Sequence, residues 1–194
     1  MLGPILKRSF YDRPATEVAQ DLLGKVIVHG PTAGIIVETE AYLGVHDLAA
    51  HSAKGLTERT KVIFGPPGHA YVYLIYGMYE CLNLVCEPVN KAGCVLIRAL
   101  EPLEGIDIMQ SRRPTARKPK DLASGPGKLT LAMAITRAQN GTDVTRGPLT
   151  VRRQSKSPAI DIVTTPRIGI TKCADWPLRY YIRGNTSVSK PSVV

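Results

Sequence analysis

Ile35-Ile36-Val37-Glu38-Thr39-Glu40-Ala41-Tyr42 is a β-branched apolar run broken by two carboxylates. Alternate residues of a strand share a face, so plain alternation puts Glu38, Glu40 and Tyr42 on one side and Val37, Thr39 and Ala41 on the other. Two acids in a core-like strand are costly to bury without partners. Two readings stand at this point. Either this is an edge strand whose solvent face carries the acids, or one acid is a general base in a cleft with the tyrosine as a platform beside it.

On the N-terminal side, Thr16 to Leu23 reads as a short helix with Thr16 as N-cap and Gly24 as its stop. Lys25 to His29 and Gly34 to Tyr42 then form two strands joined at Gly30-Pro31-Thr32. A loop-rich stretch follows from Leu43 to Gly68. Beyond it, Tyr71 to Val85 flanks Gly77 with apolar and aromatic residues, which predicts a hairpin with Tyr76 and Met78 at its tip. Four of the eight tyrosines fall between Tyr71 and Tyr79, so the clustering exceeds what composition provides. Either the tip packs on a neighbouring loop, or it is a wedge for a base stack. Gly93 to Pro102 is a third buried-looking strand with Arg98 inside it. That arginine needs a carboxylate, Glu38 or Glu40, or else meets a phosphate. Pro102 is expected to open a helix through about Arg112.

The chain has 194 residues, 44% of them hydrophobic, enough to bury a substantial core in one domain, 1–194, or at most two small ones. A net charge of +9 favours a polyanionic partner, nucleic acid ahead of an acidic membrane surface. The excess concentrates from Ser111 to Lys156, where only Asp121 and Asp143 oppose a run of arginines and lysines. Within it, Pro114 to Lys120 reads as a mobile basic loop. Ser124-Gly125-Pro126-Gly127-Lys128 leads into a helix through about Ile135, whose free N–H groups suit an anion. The glycine spacing is not that of a nucleotide P-loop, so a nucleic-acid phosphate fits better than ATP. Pro148 to Arg152, Arg167 to Thr171 and Arg179 to Arg183 read as further strands, and the tail from Asn185 as loose. The four cysteines and four histidines lack metal-ligand spacing, so no metal or other cofactor is expected. No segment has the apolar length to span a bilayer, and Met1 to Arg13 lacks a signal-peptide core. The expectation is a cytoplasmic protein, or a nuclear one in a cell with a nucleus.

Several motifs stand in one order: Glu38-Thr39-Glu40-Ala41-Tyr42, Ala50-His51-Ser52, Tyr71-Val72-Tyr73, Tyr76-Gly77-Met78-Tyr79, Cys81-Leu82-Asn83, Arg98-Ala99-Leu100-Glu101-Pro102 and Gly125-Pro126. From about Arg8 to Gly184 this series resembles the alkyladenine (3-methyladenine, N-methylpurine) DNA glycosylase family. The resemblance implies an α+β fold, a single mixed domain with a curved antiparallel sheet, flanking helices and a protruding hairpin that enters the DNA minor groove. It implies Glu40 as catalytic base with Arg98 beside it, and a base pocket of Tyr42, Ala50, His51, Tyr73, Asn83 and Leu96. Tyr76, with Met78, would intercalate, and Gly125, Gly127 and Lys128 would meet the DNA backbone. Arg98 would keep Glu40 ionised by lowering its pKa. The implied protein is a monomer on duplex DNA that leaves an abasic product without a metal. Gly127 stands where some relatives have serine, Glu80 replaces an apolar or aromatic residue, and the loop Val45-His46-Asp47-Leu48 differs. These departures touch DNA contact and damage preference rather than reaction type.

Two other classes compete. A non-enzymatic nucleic-acid module would stack bases on the tyrosines and need neither Glu40 nor Arg98. A nuclease would hold Mg²⁺ between Glu38 and Glu40 and lose activity on chelation.

Overall fold

A computed structural model of the chain describes residues 2–155 and 159–189. Its backbone is organised by one long strand, β3 (Thr32–Tyr42), which changes neighbours halfway along. The first half of β3 pairs with β2 (Val26–His29), with His29 opposite Thr32 across the predicted turn. The second half pairs instead with β9 (Arg179–Ile182), Glu38 opposite Tyr181 and Glu40 opposite Arg179. Along its other side β3 pairs with β6 (Gly93–Glu104). From β6 the sheet continues through β5 (Tyr79–Cys86) to β4 (Ala70–Ile75), and from β2 through β7 (Leu149–Gln154) to β1 (Leu2–Ile5). A short β8 (Ile162–Thr165) closes on β9, and every pairing is antiparallel. This is the α+β architecture expected. The edge-strand reading of the acids fails, because β3 is paired along both sides.

Plain alternation fails beside the acids. Between Ile36 and Glu38 the ladder moves two residues on β3 against one on β6, and between Glu38 and Thr39 it moves one against two. Val37 and Arg98 are therefore extra residues, two compensating bulges side by side. Their effect is to turn consecutive residues to one face. Ile36 and Ala41 pack in the main core, and Thr39 donates to the Ala19 carbonyl at 2.8 Å. Val37, by contrast, joins Ala99, Val163, Tyr181 and Val188 in a cluster on the opposite face, the face of Glu38 and Arg98.

Helices cover the other side of the sheet. The helix predicted at Thr16 is Ala15–Asp21 (α2), following a one-turn α1 at Arg8–Tyr11. Its N-cap is Pro14 rather than Thr16, and it makes no side-chain cap bond; a proline just ahead of the first turn has no N–H to satisfy. Gly24 ends it at φ +77°. Pro102 does not start a helix. β6 runs on to Glu104, and Gly105 in left-handed conformation starts α3 (Ile106–Arg112), because the edge half of a strand tolerates a proline. The last α-helix, α4 (Pro126–Met133), ends two residues short of the expected Ile135, with Ala134 as its left-handed C-cap.

Three C-terminal readings are corrected. Arg167 to Thr171 is not a strand but an irregular loop, since Arg167 and the Ile168 N–H bond to other partners. The tail from Asn185 is not loose as far as Ser189. Asn185 donates to Glu101 at 2.7 Å, Val188 is buried, and the Ser189 N–H reaches Glu38 at 2.7 Å. Residues 190–194, and Lys156 of the basic run, lie outside the described residues. The basic loop 114–120 is anchored at both ends: Gln110 donates to the Ala116 carbonyl, and Arg113 to the carbonyls of Asp121 and Leu122. Among the described residues no helix is long and apolar enough to cross a membrane.

Gly44 opens the loop after β3 at φ +87°, where a Cβ would lie 2.1 Å from the Ala92 carbonyl oxygen. Gly141, at φ +81°, faces open space. Gly141→Ala should therefore cost only the backbone strain of about 1–3 kcal/mol. Gly44→Ala should cost more, since the loop must also move off β5–β6. Thermal melts of the two variants check the order, and equal Tm losses would contradict it.

Candidate active site

The chemistry gathers on the face of β3 and β6 that the bulges serve. Glu38 and Glu40 are both completely buried. Glu38 accepts from Arg98 Nε at 3.0 Å, Arg179 Nε at 2.7 Å and the Ser189 N–H at 2.7 Å. Glu40 Oε1 accepts the Ile168 N–H at 2.8 Å and lies 3.2 Å from Arg98 Nη1. Among the described residues Glu40 Oε2 has one partner, the Tyr42 hydroxyl, which donates at 3.0 Å. Arg98 thus spans both acids rather than choosing one. Glu38 is saturated by two guanidiniums and an amide, which leaves it a poor ligand for Mg²⁺ and disfavours the nuclease reading. Among the described residues no three His, Cys, Asp or Glu side chains gather as a metal site.

The balance at Glu40 differs from the expectation. Burial raises its pKa above the ordinary carboxylate value, and this outweighs the opposing pull of the Arg98 charge, the Ile168 N–H and the Tyr42 hydroxyl. Arg98 divides its charge between two carboxylates, so it moderates the rise without reversing it.

Beside these groups lies an open cavity of about 740 Å³ with Tyr42, His51, Tyr73, Asn83, Leu96 and Arg98 on its walls. The sequence reading therefore named side chains that meet around one space. Glu40 lies just behind the wall, bonded to its Tyr42 and Arg98. Ala50 is buried, and its neighbour Ala49 takes the place on the wall. Tyr71 also lines the cavity and was not singled out. Its hydroxyl sits 3.0 Å from His51 Nδ1, and the Tyr73 ring packs edge-on to His51 at 4.5 Å. Burial, with the charges of Arg59 and Lys54, lowers the His51 pKa to about 4, so the ring is neutral near pH 7. Arg59 Nη2 faces Nε2 at 3.4 Å, which assigns the acceptor role to Nε2 and the ring N–H to Nδ1. Asn83 is fixed at one end by donation to the Tyr71 carbonyl at 3.2 Å.

At the mouth, the hairpin of β4 and β5 turns through Tyr76 and Gly77, at φ +52° and +69°. Two consecutive positive φ values are the pattern of a type I′ turn, whose twist matches the strands. Tyr76 holds that conformation without being glycine, at a cost of about 1–2 kcal/mol, and stands 80% exposed. Met78 is 66% exposed beside it. The start of α4 approaches the same mouth: Gly125, Gly127 and Lys128 line it, and a Cβ on Gly127 would press on Tyr79 at 3.0 Å.

Sequence reasoning missed Asp47, Arg167 and Arg179. Arg167 pairs with Asp47 through two bonds, 2.5 and 2.8 Å, with both side chains fully buried. Both arginines come from stretches read only as short strands, in which nothing local marked them as partners of the acids. The one signal was the excess of acids in β3, which demanded more than a single cation.

The sequence profile of the methylpurine-DNA glycosylase family matches residues 9–186. A protein of Methanocella arvoryzae is 55% identical over 96% of this chain and 96% of its own length. One from Methanoculleus marisnigri is 52% identical over 95% and 98%, and one from Rhodopseudomonas palustris 49% over 98% and 90%. All three carry the provisional name 3-methyladenine DNA glycosylase.

Removing charge from Glu38 strands two arginines. Glu38→Gln should destabilise the fold by about 3–5 kcal/mol, as breaking a buried pair does. The exposed Arg183–Asp161 pair, at 2.7 Å, gives the contrast: Asp161→Asn should cost no more than about 1 kcal/mol. Urea unfolding of the two variants measures both.

Proposed function

The chain belongs to the methylpurine-DNA glycosylase family, and on that premise we propose that it turns damaged purines out of duplex DNA and cleaves them off with a Glu40-activated water. It is a DNA-3-methyladenine glycosylase, a hydrolase of N-glycosyl bonds. The observation that carries the finer reading is the position of Glu40, buried directly behind the aromatic wall of a cavity of base-binding size, with Oε2 held by a single neutral donor.

A stacked duplex hides the sugar C1′, so the nucleotide must leave the helix at a cost of a few kcal/mol. Tyr76 on its strained, exposed turn fills the vacated space and Met78 supports it. Gly125, Gly127 and Lys128 receive the DNA backbone at the mouth. The extruded base enters between Tyr42 and Tyr73. Alkylation at N3 or N7 makes a purine cationic, and aromatic faces then add about 0.5–2 kcal/mol. The same charge weakens the glycosidic bond, so 3-methyladenine and 7-methylguanine depart with little help.

Neutral lesions such as hypoxanthine and ethenoadenine need the catalyst. Their cleavage passes through an oxocarbenium-like state. Ionised Glu40 orients a water through Oε2 and stabilises that charge, with Arg98 and the Ile168 N–H committing Oε1. Water takes the place of a protein nucleophile, and the product is an intact abasic site ready for base excision repair. The enzyme acts as a monomer and needs no metal.

Glu40→Gln should bind hypoxanthine DNA and lose most of its excision, read as free base released in EDTA. Wild-type hypoxanthine excision should rise with pH through a midpoint above the ordinary carboxylate value, because the base works only when ionised and burial holds its pKa up. A midpoint at or below the ordinary value, or near-normal release by Glu40→Gln, removes Glu40 from this role.

Asn83, anchored to Tyr71, crowds the amino group that guanine has and hypoxanthine lacks. Asn83→Ser should therefore admit guanine-type bases. Release of guanine from undamaged duplexes measures this, and unchanged selectivity would count against the assignment.

A further inference from the structure

The Asp47–Arg167 pair lies outside the groups just assigned, yet it touches two of them. Arg167 comes from the loop between β8 and β9, and Asp47 from the loop after β3. Besides its two bonds to Asp47, Arg167 donates to the Ala41 carbonyl at 3.1 Å, and its guanidinium carbon lies 4.6 Å from the centre of the Tyr42 ring. The guanidinium is fully buried and is not on the cavity wall, so it backs the ring on the side away from the cavity. Asp47 also accepts from the N–H groups of Leu43 and Ala49, which fixes the strand end to the loop leading to His51. The residue after Arg167 is Ile168, whose N–H holds Glu40.

A buried pair of this kind adds little stability over apolar side chains of similar volume. Its effect on the site is electrostatic. A cation against one face of an aromatic ring draws on the same negative π density that the other face offers to a cationic base. Asp47 cancels that charge at close range.

We propose that Asp47 and Arg167 are positioning and specificity-determining residues: together they brace Tyr42 from behind as a neutral unit, and Asp47 keeps the ring face receptive to cationic purines. The inference rests on the reading of Tyr42 as a wall of the base pocket. It makes discrimination between charged and neutral lesions a property of a pair that never touches the base.

The test is the ratio of subsaturating excision rates for duplexes carrying 7-methylguanine and hypoxanthine. A ratio measured within one preparation is independent of the fraction that folds. Asp47→Asn leaves shape nearly unchanged and exposes the ring to the uncancelled guanidinium. The ratio should fall roughly threefold to tenfold, within the range of one cation–π contact. The double variant Asp47→Asn, Arg167→Gln carries no charge behind the ring, and its ratio should return close to wild type even if both rates are lower. A ratio unchanged in Asp47→Asn, or equally depressed in both variants, overturns the proposal. Tyr42→Ala separates the two levels: if it excises both bases at wild-type rates, the pocket-wall reading itself fails, whereas impaired Tyr42→Ala with an unshifted Asp47→Asn ratio sinks only the role of the pair.

Discussion

Charge neutrality inside a sheet is the constraint on which the molecule turns. Among the described residues the buried charged side chains are Glu38, Glu40, Asp47, Arg98, Arg167 and Arg179, three acids and three bases. All six lie in one connected region on β3, β6, β9 and the loops between them. None could be buried there alone, because an unpaired charge in a low-dielectric interior costs far more than any single contact returns. Two of the acids, Glu38 and Glu40, stand in β3, and Asp47 in the loop that follows it. The arginines answer them from three separate parts of the chain.

That constraint shapes the backbone. Ordinary alternation would send Val37 and Glu38 to opposite faces, whereas both stand on the side that holds the acids. Two opposed bulges achieve this locally and cancel one another, so Ile36↔Leu100 and Glu40↔Leu96 share one register. The fork of β3, with β2 beside one half and β9 beside the other, brings Arg179 to Glu38 and the 167–168 loop to Glu40. The cavity then rests on strands paired along both sides. Its mouth, with the Tyr76 turn, the start of α4 and the loop residues Pro114, Thr115 and Gly169, is made of exposed elements.

Much of this was legible in the sequence. The hairpin tip at Gly77, the strand with Arg98 inside it and the tyrosine cluster each follow from patterns of period two and from glycine placement. The motif order fixed which side chains would share a cavity. What escaped were features set by distant partners. The bulge at Val37 leaves no local mark, since valine suits either face of a strand. Arg167 sits in a stretch whose apolar alternation imitates a strand, and only its commitment to Asp47 and Ala41 keeps it out of one. Ser187 to Ser189 reads as an ordinary polar tail until Glu38 requires a donor. The pKa of Glu40 was misjudged for a related reason: proximity to an arginine can be read from spacing, whereas the depth of burial cannot.

The bond from the Ser189 N–H to Glu38 joins residues 151 positions apart. During synthesis, β3 is therefore made long before the segment that completes its acids' coordination, and Arg179 is late as well. Domains assemble as the chain emerges from its N-terminus, but here the centre of the sheet cannot close early without stranding carboxylates. The nascent protein must hold that half of its sheet open until Arg179 and Ser189 have been translated. A chain broken off before β9 would therefore leave Glu38 without the Arg179 and Ser189 donors, its carboxylate facing Arg98 alone.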